Sequence, residues 1–379
     1  MHVPRRLASN PLALSCLLAV LLPGTAAAEV GKPGAPRNFY IDFDSGDDRA
    51  SGLSPDAAWK RAPGDTRAEA VARTTRLQPG DRLLFRGGVA YRGTIMARTA
   101  GTAVAPIRYL GIGWGEGAAI LDGSDTLPPA RPCRSAADCL GAPNWHRLQR
   151  VKLPEGARWS DGLFGRAGAY RPAAWPGPDQ LATLPEEALP LLRAGRIETA
   201  LPAPLRAGEP VLALRVRPGV LGYSPPVRVT STGVEFAREG WLRWGFAPEP
   251  GANLFALVNT PAAVDRPGLF AMSTRRRIAV VWLLPGDLTL SHGSGRQGVH
   301  LLAGGHVEVS GFAFRNFGGG DPSVRLAAIP LVQRWPLPGV RLAGNSFGPV
   351  AAGSAGLSMQ LPAAPSPADA RPLLACAAC

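Results

Sequence analysis

Lysine is almost absent from this chain of 379 residues: Lys32, Lys60 and Lys152 are three among 41 Lys and Arg residues. Chemistry that rests on a lysine base in the last half of the chain is thereby excluded. Aromatic residues are few, at 7%, and no short window mixes dense Lys/Arg with aromatics, which argues against a nucleic-acid groove. Long helical runs are missing as well, since Gly 46 and Pro 39 interrupt helix interiors throughout. Only one long apolar run exists, "LALSCLLAVLL" from Leu12 to Leu22, and it is too short to span a bilayer.

That run has a different use. Arg5 and Arg6 precede it, and Pro23, Gly24 and the small residues "TAAAE" follow. The pattern reads as a secretory signal peptide over residues 1–28, cleaved after Ala28, so a secreted or periplasmic protein without a membrane span is expected. Cys16 lies inside the run, not after it, which speaks against a lipoprotein anchor. In an oxidising compartment Cys133 and Cys139 of "CRSAADC" are close enough in sequence to form a loop disulfide. The terminal "CAAC" (Cys376 to Cys379) matches a prenylation box, but an exported chain does not meet cytosolic prenyltransferases. The net charge of +13 has two readings, an arginine-rich codon bias or attraction to a polyanion. For an exported protein the polyanion would be an acidic polysaccharide or the cell envelope before nucleic acid.

Four sections follow the signal. Residues 29–127 alternate in short strands, "NFYIDF", "LQPGDRLLFRGG", "APIRYLGIG" and "GAAILDGSD", with Leu83 and Phe85 recurring 24 residues later as Ile107 and Tyr109. A recurrence in the low twenties is the length of one coil in a parallel β-solenoid. Residues 128–290 are richer in Pro and Trp and read as a β-rich insertion; only Leu184 to Gly195 tempts a helix, which Pro190 limits. Residues 291–362 return to coils. There Val307 and Val309 share one face, Ser310 and Gly311 break the alternation, and Phe312 and Phe314 resume it. A flat strand with that break would turn its core residues outward, whereas a bend at Gly311 keeps both pairs inside. The pattern returns 33 residues on as Val340, Leu342, Gly344 and Phe347, with Asn345 in place of Phe312, and Leu357, Met359 and Leu361 form a further run. The fold expected is all-β, a right-handed parallel β-helix with a β-rich inserted domain. Residues 363–379 are a Pro/Ala-rich tail with no alternation and no evident cap, so the chain reads as a truncated or frameshifted version of a longer protein.

Several stretches resemble exported right-handed parallel β-helix proteins of the pectate-lyase-like superfamily. "FYIDFDSGDDRASGLSPDAAWKR" looks like the family's opening strand and loop, and "LQPGDRLLFRGGVAYRGTI" like its "PGD…F.GG.Y.G" segment. "GTAVAPIRYLGIGWGEGAAILDGSD", "LFGRAGAYRPAAWPGPD" and "NTPAAVDRPGLFAMSTRRRIAVVWLLPGD" continue the likeness in order, together covering most of residues 38 to 360. The resemblance implies a polysaccharide partner, met by lyase or glycosidase chemistry, in a protein expected to be monomeric. It supplies no catalytic residue, because one β-helix hosts many functions.

The residues themselves offer candidates. A polysaccharide lyase needs a base and a cation that neutralises the uronate carboxylate, a task for which calcium held by clustered carboxylates is the candidate cofactor. Arg315, Arg325 and Arg341 are available as bases, although a surface arginine is commonly just solvated. A glycosidase needs two carboxylates flanking a bond; Asp287, Glu308 and Asp321 are the choices, Glu308 on an outward position and Asp321 after three glycines. His292, His300 and His306 crowd together, yet a zinc site would want a third ligand at tight spacing, and an exposed coil face explains them as well. The loop from Asp42 to Asp56 suits either calcium or ordinary turn chemistry. "GIGWGEG" closes a coil, and no Lys-Ser/Thr pair follows to make it a phosphate loop. Two functions therefore stand: a carbohydrate-active lyase or hydrolase, and a non-catalytic polysaccharide-binding or envelope-associated protein. Paired carboxylates on one outward face would favour the first, and a bare face of Arg and aromatics the second.

Overall fold

A computed structural model describes residues 35–184, 188–217, 220–237, 254–302, 305–318, 324–327, 339–348 and 357–360. The expected signal peptide at 1–28, Asp321 and the tail at 363–379 lie outside the described residues. Most of the described chain is β-strand. Three of its sheets are wholly parallel, and the chain visits them in turn. Sheet 1 holds Asn38–Ile41, Arg82–Phe85, Ile107–Leu110, Val307–Ser310 and Arg341–Ala343. Sheet 2 holds Ala90–Tyr91, Ala119–Asp122, Phe312–Arg315 and Ser346–Phe347. Sheet 3 holds Ile95–Ala97, Val299–Leu301, Val324–Ala327 and Leu357–Gln360.

Strict alternation builds this stack. In sheet 1 the ladder Phe39, Leu83, Tyr109, Val309 and Leu342 runs through the buried side, each residue opposite the next. In sheet 2 Tyr91, Leu121, Phe314 and Phe347 do the same, with the Phe314 and Phe347 rings stacked 4.9 Å apart. Phe85 links the two sheets edge-on to both Tyr91 and Phe312, each at 5.1 Å. These inward residues form one continuous apolar core. Each large side chain so buried contributes about 1.5–3 kcal/mol. Two inward tyrosines carry hydroxyls: that of Tyr91 donates to Asp65 Oδ2 at 3.0 Å, whereas that of Tyr109 is buried without a hydrogen-bond partner among the described residues.

The bend at Gly311 has a left-handed backbone, φ +74°, between the strand ending at Ser310 and the one starting at Phe312. Glycine adopts that conformation at no steric cost. One coil later Asn345 occupies the place of Phe312: its Oδ1 accepts from the Phe312 amide at 3.0 Å, and its Nδ2 donates to the Val309 carbonyl at 2.9 Å. The asparagine thereby pairs backbone groups that the corner leaves out of the ladders.

One expectation needs correction. Leu83 pairs with Tyr109, not Ile107, so the first recurrence is longer than the 24 residues read from the alternation. A shift of two residues leaves every side chain on its own face, and alternation alone cannot detect it. A helix does form in the segment Leu184 to Gly195, over Leu189–Arg193. Pro190 falls in its first turn, where the missing N–H would have no intrahelical partner anyway.

The β-rich excursion leaves after sheet 2 and returns before sheet 3. Its root is an antiparallel pair, Ser124–Thr126 with Ser291–Gly293, at the end of an eight-stranded sheet. A five-stranded and a three-stranded sheet complete it. Among the described residues no helix is long and apolar enough to cross a membrane.

Candidate polyanion-binding face

Outward positions of sheet 1 alternate with the core ladder, so they too stack in register. Asn38, Arg82, Arg108, Glu308 and Arg341 form one outward row, each opposite the next across the parallel strands. Neighbouring rungs of such a sheet are about 4.8 Å apart. Arg82 and Arg341 are exposed, whereas Arg108 and Glu308 are half-buried. Arg108 Nε donates to Glu308 Oε2 at 3.2 Å, and Ser310 Oγ donates to Glu308 Oε1 at 3.1 Å. Glu308 is the single carboxylate on the described strands of sheet 1.

Half-exposed aromatics border the row. Tyr40 meets Trp114 edge-on at 5.5 Å, and the Arg86 guanidinium stands 5.8 Å above the Trp114 ring. Trp114 belongs to "GIGWGEG", which closes its coil by pairing with Gly87: the Gly87 amide donates to the Trp114 carbonyl at 2.9 Å. Trp114 Nε1 donates to the Leu84 carbonyl at 2.9 Å, fixing the ring at the edge of the face.

The other sequence candidates are dispersed. Asp321 lies outside the described residues, and Arg325 is in sheet 3 opposite His300. Arg315 is exposed at the end of sheet 2 opposite Asp122, whose carboxylate accepts from Ser124 at 2.9 and 2.7 Å and from Asn316 at 3.2 Å. Arg341 alone joins Glu308 on one row. Asp287 is not a coil residue available to a ligand; it is buried in the excursion, accepting from the Tyr170 hydroxyl at 2.7 Å and the Arg166 amide at 3.0 Å.

The three histidines sit on different elements, and His292 is not on an exposed coil face. It is buried in the root of the excursion between Leu163 and Asp125, with Nε2 3.2 Å from the Arg158 carbonyl. Burial pushes its pKa below the ordinary 6.5, partly opposed by the Arg158 carbonyl and by Asp161 and Asp125. The folded protein therefore favours the neutral imidazole more than the unfolded chain does, which takes up a proton near pH 6.5. Stability is accordingly retained above that pH and falls as the solution is acidified through the range below it. Thermal melts from pH 7.5 to 5 on the native protein and on His292→Gln check this, with a shallower decline expected in the variant. Equal slopes would refute it.

The Asp42 to Asp56 loop resolves toward turn chemistry. Burial raises the Asp42 carboxyl, but hydrogen bonds from Ser45, Arg86 and the Asp44 amide outweigh it and hold the pKa below the usual carboxylate value. Asp48 accepts from the Arg61 amide at 2.7 Å and the Glu69 amide at 3.0 Å. Among the described residues no three His, Cys, Asp or Glu side chains are grouped to hold a metal ion. Cys133 and Cys139 are joined, with Cα atoms 5.8 Å apart.

Sequence reasoning missed Arg82 and Arg108. Their outward parity was legible, but their neighbour Glu308 is 200 residues from Arg108. Comparison with known proteins adds little. No family model and no curated protein matches this sequence. One similar solved structure is described as "Glycoside hydrolase", with 13% identity, a TM-score of 0.48 and coverage of 74% of this chain. This chain spans about half, 51%, of that structure's length. At that level the likeness decides neither fold nor function.

Proposed function

We propose that this chain is an exported right-handed parallel β-helix protein with an inserted β-domain, and that the outer face of sheet 1 binds an acidic polysaccharide. The right hand follows from the rule for crossovers between parallel strands. The observation that carries the binding reading is the outward row Arg82, Arg108 and Arg341, one rung apart or separated only by Glu308 and bordered by Tyr40 and Trp114. Guanidinium groups recognise planar carboxylates through paired N–H donors, and an extended polyuronate presents carboxylates repeatedly along its length. Aromatic rings at the edge suit the apolar faces of sugars.

Turnover is the less supported reading. Glycosidase chemistry needs two carboxylates across a bond, and on this face Glu308 is already held by Arg108 and Ser310. Calorimetric titration of the protein with a galacturonate trisaccharide tests the proposal. Arg82→Ser/Arg341→Ser is expected to weaken binding about tenfold, equal to about 1.4 kcal/mol. Glu308→Gln is expected to bind more tightly, because it removes a negative charge and releases Arg108. If the protein instead cleaves polyuronate and Glu308→Gln abolishes cleavage, the binding reading is wrong.

A further inference from the structure

A second concentration of positive charge lies on the excursion. Its eight-stranded sheet ends in Arg131–Pro132, paired with Gln149–Lys152, which pairs in turn with Ile278–Val281. Register places Arg131 directly opposite Arg150 and Lys152 directly opposite Ile278. The turn before Ile278 adds Arg276 and Arg277. Together they line a cleft of about 580 Å³ with five cations, Arg131, Arg150, Lys152, Arg276 and Arg277, no carboxylate and no aromatic ring.

Like charges directly opposite on paired strands destabilise a sheet, so this arrangement has a cost that an anion would offset. The available counter-charges stand outside the cleft. Asp138 reaches Arg150 Nε at 3.1 Å, and Glu155 lies 3.9 Å from Arg277 while its own side chain is 91% exposed. The cleft is braced: Arg276 Nη1 donates to the Ala137 carbonyl at 2.7 Å, and Ala137 and Asp138 belong to the loop closed by Cys133 and Cys139. Arg131, Lys152, Arg276 and Arg277 are exposed to solvent on this fixed frame.

We infer that this cleft is a second anion subsite, taking adjacent carboxylates of the same acidic polysaccharide. The inference rests on the binding reading above for the class of polymer. Single-stranded nucleic acid is disfavoured, since proteins that hold it stack bases on aromatic side chains and none lines this cleft. Arginine forks and one lysine on a rigid sheet edge suit closely spaced, planar carboxylates.

Arginine footprinting of the protein with phenylglyoxal, read by peptide mass spectrometry, tests this against the sheet 1 face. A galacturonate trisaccharide is expected to slow modification of Arg131 and Arg277 several-fold, and neutral maltotriose to leave it unchanged. Protection of Arg82 and Arg341 with Arg131, Arg276 and Arg277 reacting as in the free protein would overturn the cleft and leave the sheet 1 reading standing. Protection of the cleft alone would support the subsite and remove the sheet 1 face. Protection of neither set would overturn both. Stronger protection of the cleft by a single-stranded oligonucleotide than by the uronate would overturn the ligand class. As a second measurement, Arg131→Ser/Arg277→Ser, two exposed changes, is expected to reduce trisaccharide affinity at the cleft about tenfold while the sheet 1 event persists; two unchanged binding events, or a single event unaffected by the change, would count against the subsite.

Discussion

Trp59→Ala is expected to lower the unfolding free energy by about 4 kcal/mol, the range for emptying a buried tryptophan site. Trp59 has no exposed surface and stacks on Phe39 at 4.8 Å. Its indole N–H donates to the Ala50 carbonyl at 2.7 Å, so the polar edge of the ring is satisfied inside the protein. The backbone contributes too. Trp59 N donates to the Tyr40 carbonyl at 2.9 Å, and its carbonyl accepts from the Asp42 amide at 2.8 Å. Those bonds cover the edge of Asn38–Ile41, the outermost strand of sheet 1, which would otherwise offer unpaired groups to another chain. Gly46 and Gly52 lie so close that a Cβ on either would overlap Trp59, and partial collapse around the void is therefore restricted by backbone. Urea unfolding followed by circular dichroism gives the number. Trp59→Phe should retain part of the loss, and an unmoved midpoint in Trp59→Ala would show that the first coil does not depend on this plug.

Asp81→Ala is the second large effect, expected to cost about 3 kcal/mol because it removes the buried carboxylate that pairs four donors at once. Asp81 is fully buried in the "PGD" turn. Its Oδ1 accepts from the Arg37 backbone amide at 3.1 Å and Arg37 Nε at 3.2 Å; its Oδ2 accepts from Arg37 Nη2 at 2.6 Å and the Gln78 amide at 2.8 Å. One carboxylate thus ties the lead of the first strand to the turn that starts the second. Asp81→Asn keeps the shape but lacks the charge and one acceptor, and about 2 kcal/mol is expected. The exposed pair Arg171 and Asp179 supplies the control, since surface ion pairs contribute little. A midpoint for Asp81→Ala as unmoved as that for Asp179→Ala would refute the tie.

Both residues sit in stretches whose pattern was visible beforehand without its cause. "PGD" and "AAWKR" were legible as parts of segments that resemble a known family; that they hold a turn and plug a coil emerges only from contacts. The alternation around Val307 and Phe312 was more transparent, because a bend that keeps both pairs inside leaves few options beyond a positive-φ residue at Gly311. The later repeat was equally clear, and Val309 does face Leu342 and Phe314 does face Phe347. His292 and Asp287 were misplaced for one reason: nearness in sequence to the coils suggested coil surface, and burial by partners such as Leu163 and Tyr170 is not local information.

The amino-acid order alone determined which side chains point inward, where the strands bend and that the middle of the chain departs from the coil pattern. These are properties of the backbone over a few residues, set by a period of two and by glycine. The tertiary structure decided which strands lie side by side. Ile107–Leu110 stacks on Val307–Ser310 because the excursion leaves and re-enters the same coil, and nothing in either strand specifies the other. The row that joins Arg82 and Arg108 to Glu308 and Arg341 exists only after that return. So does the basic cleft, assembled from three strands that meet at one edge of the inserted sheet.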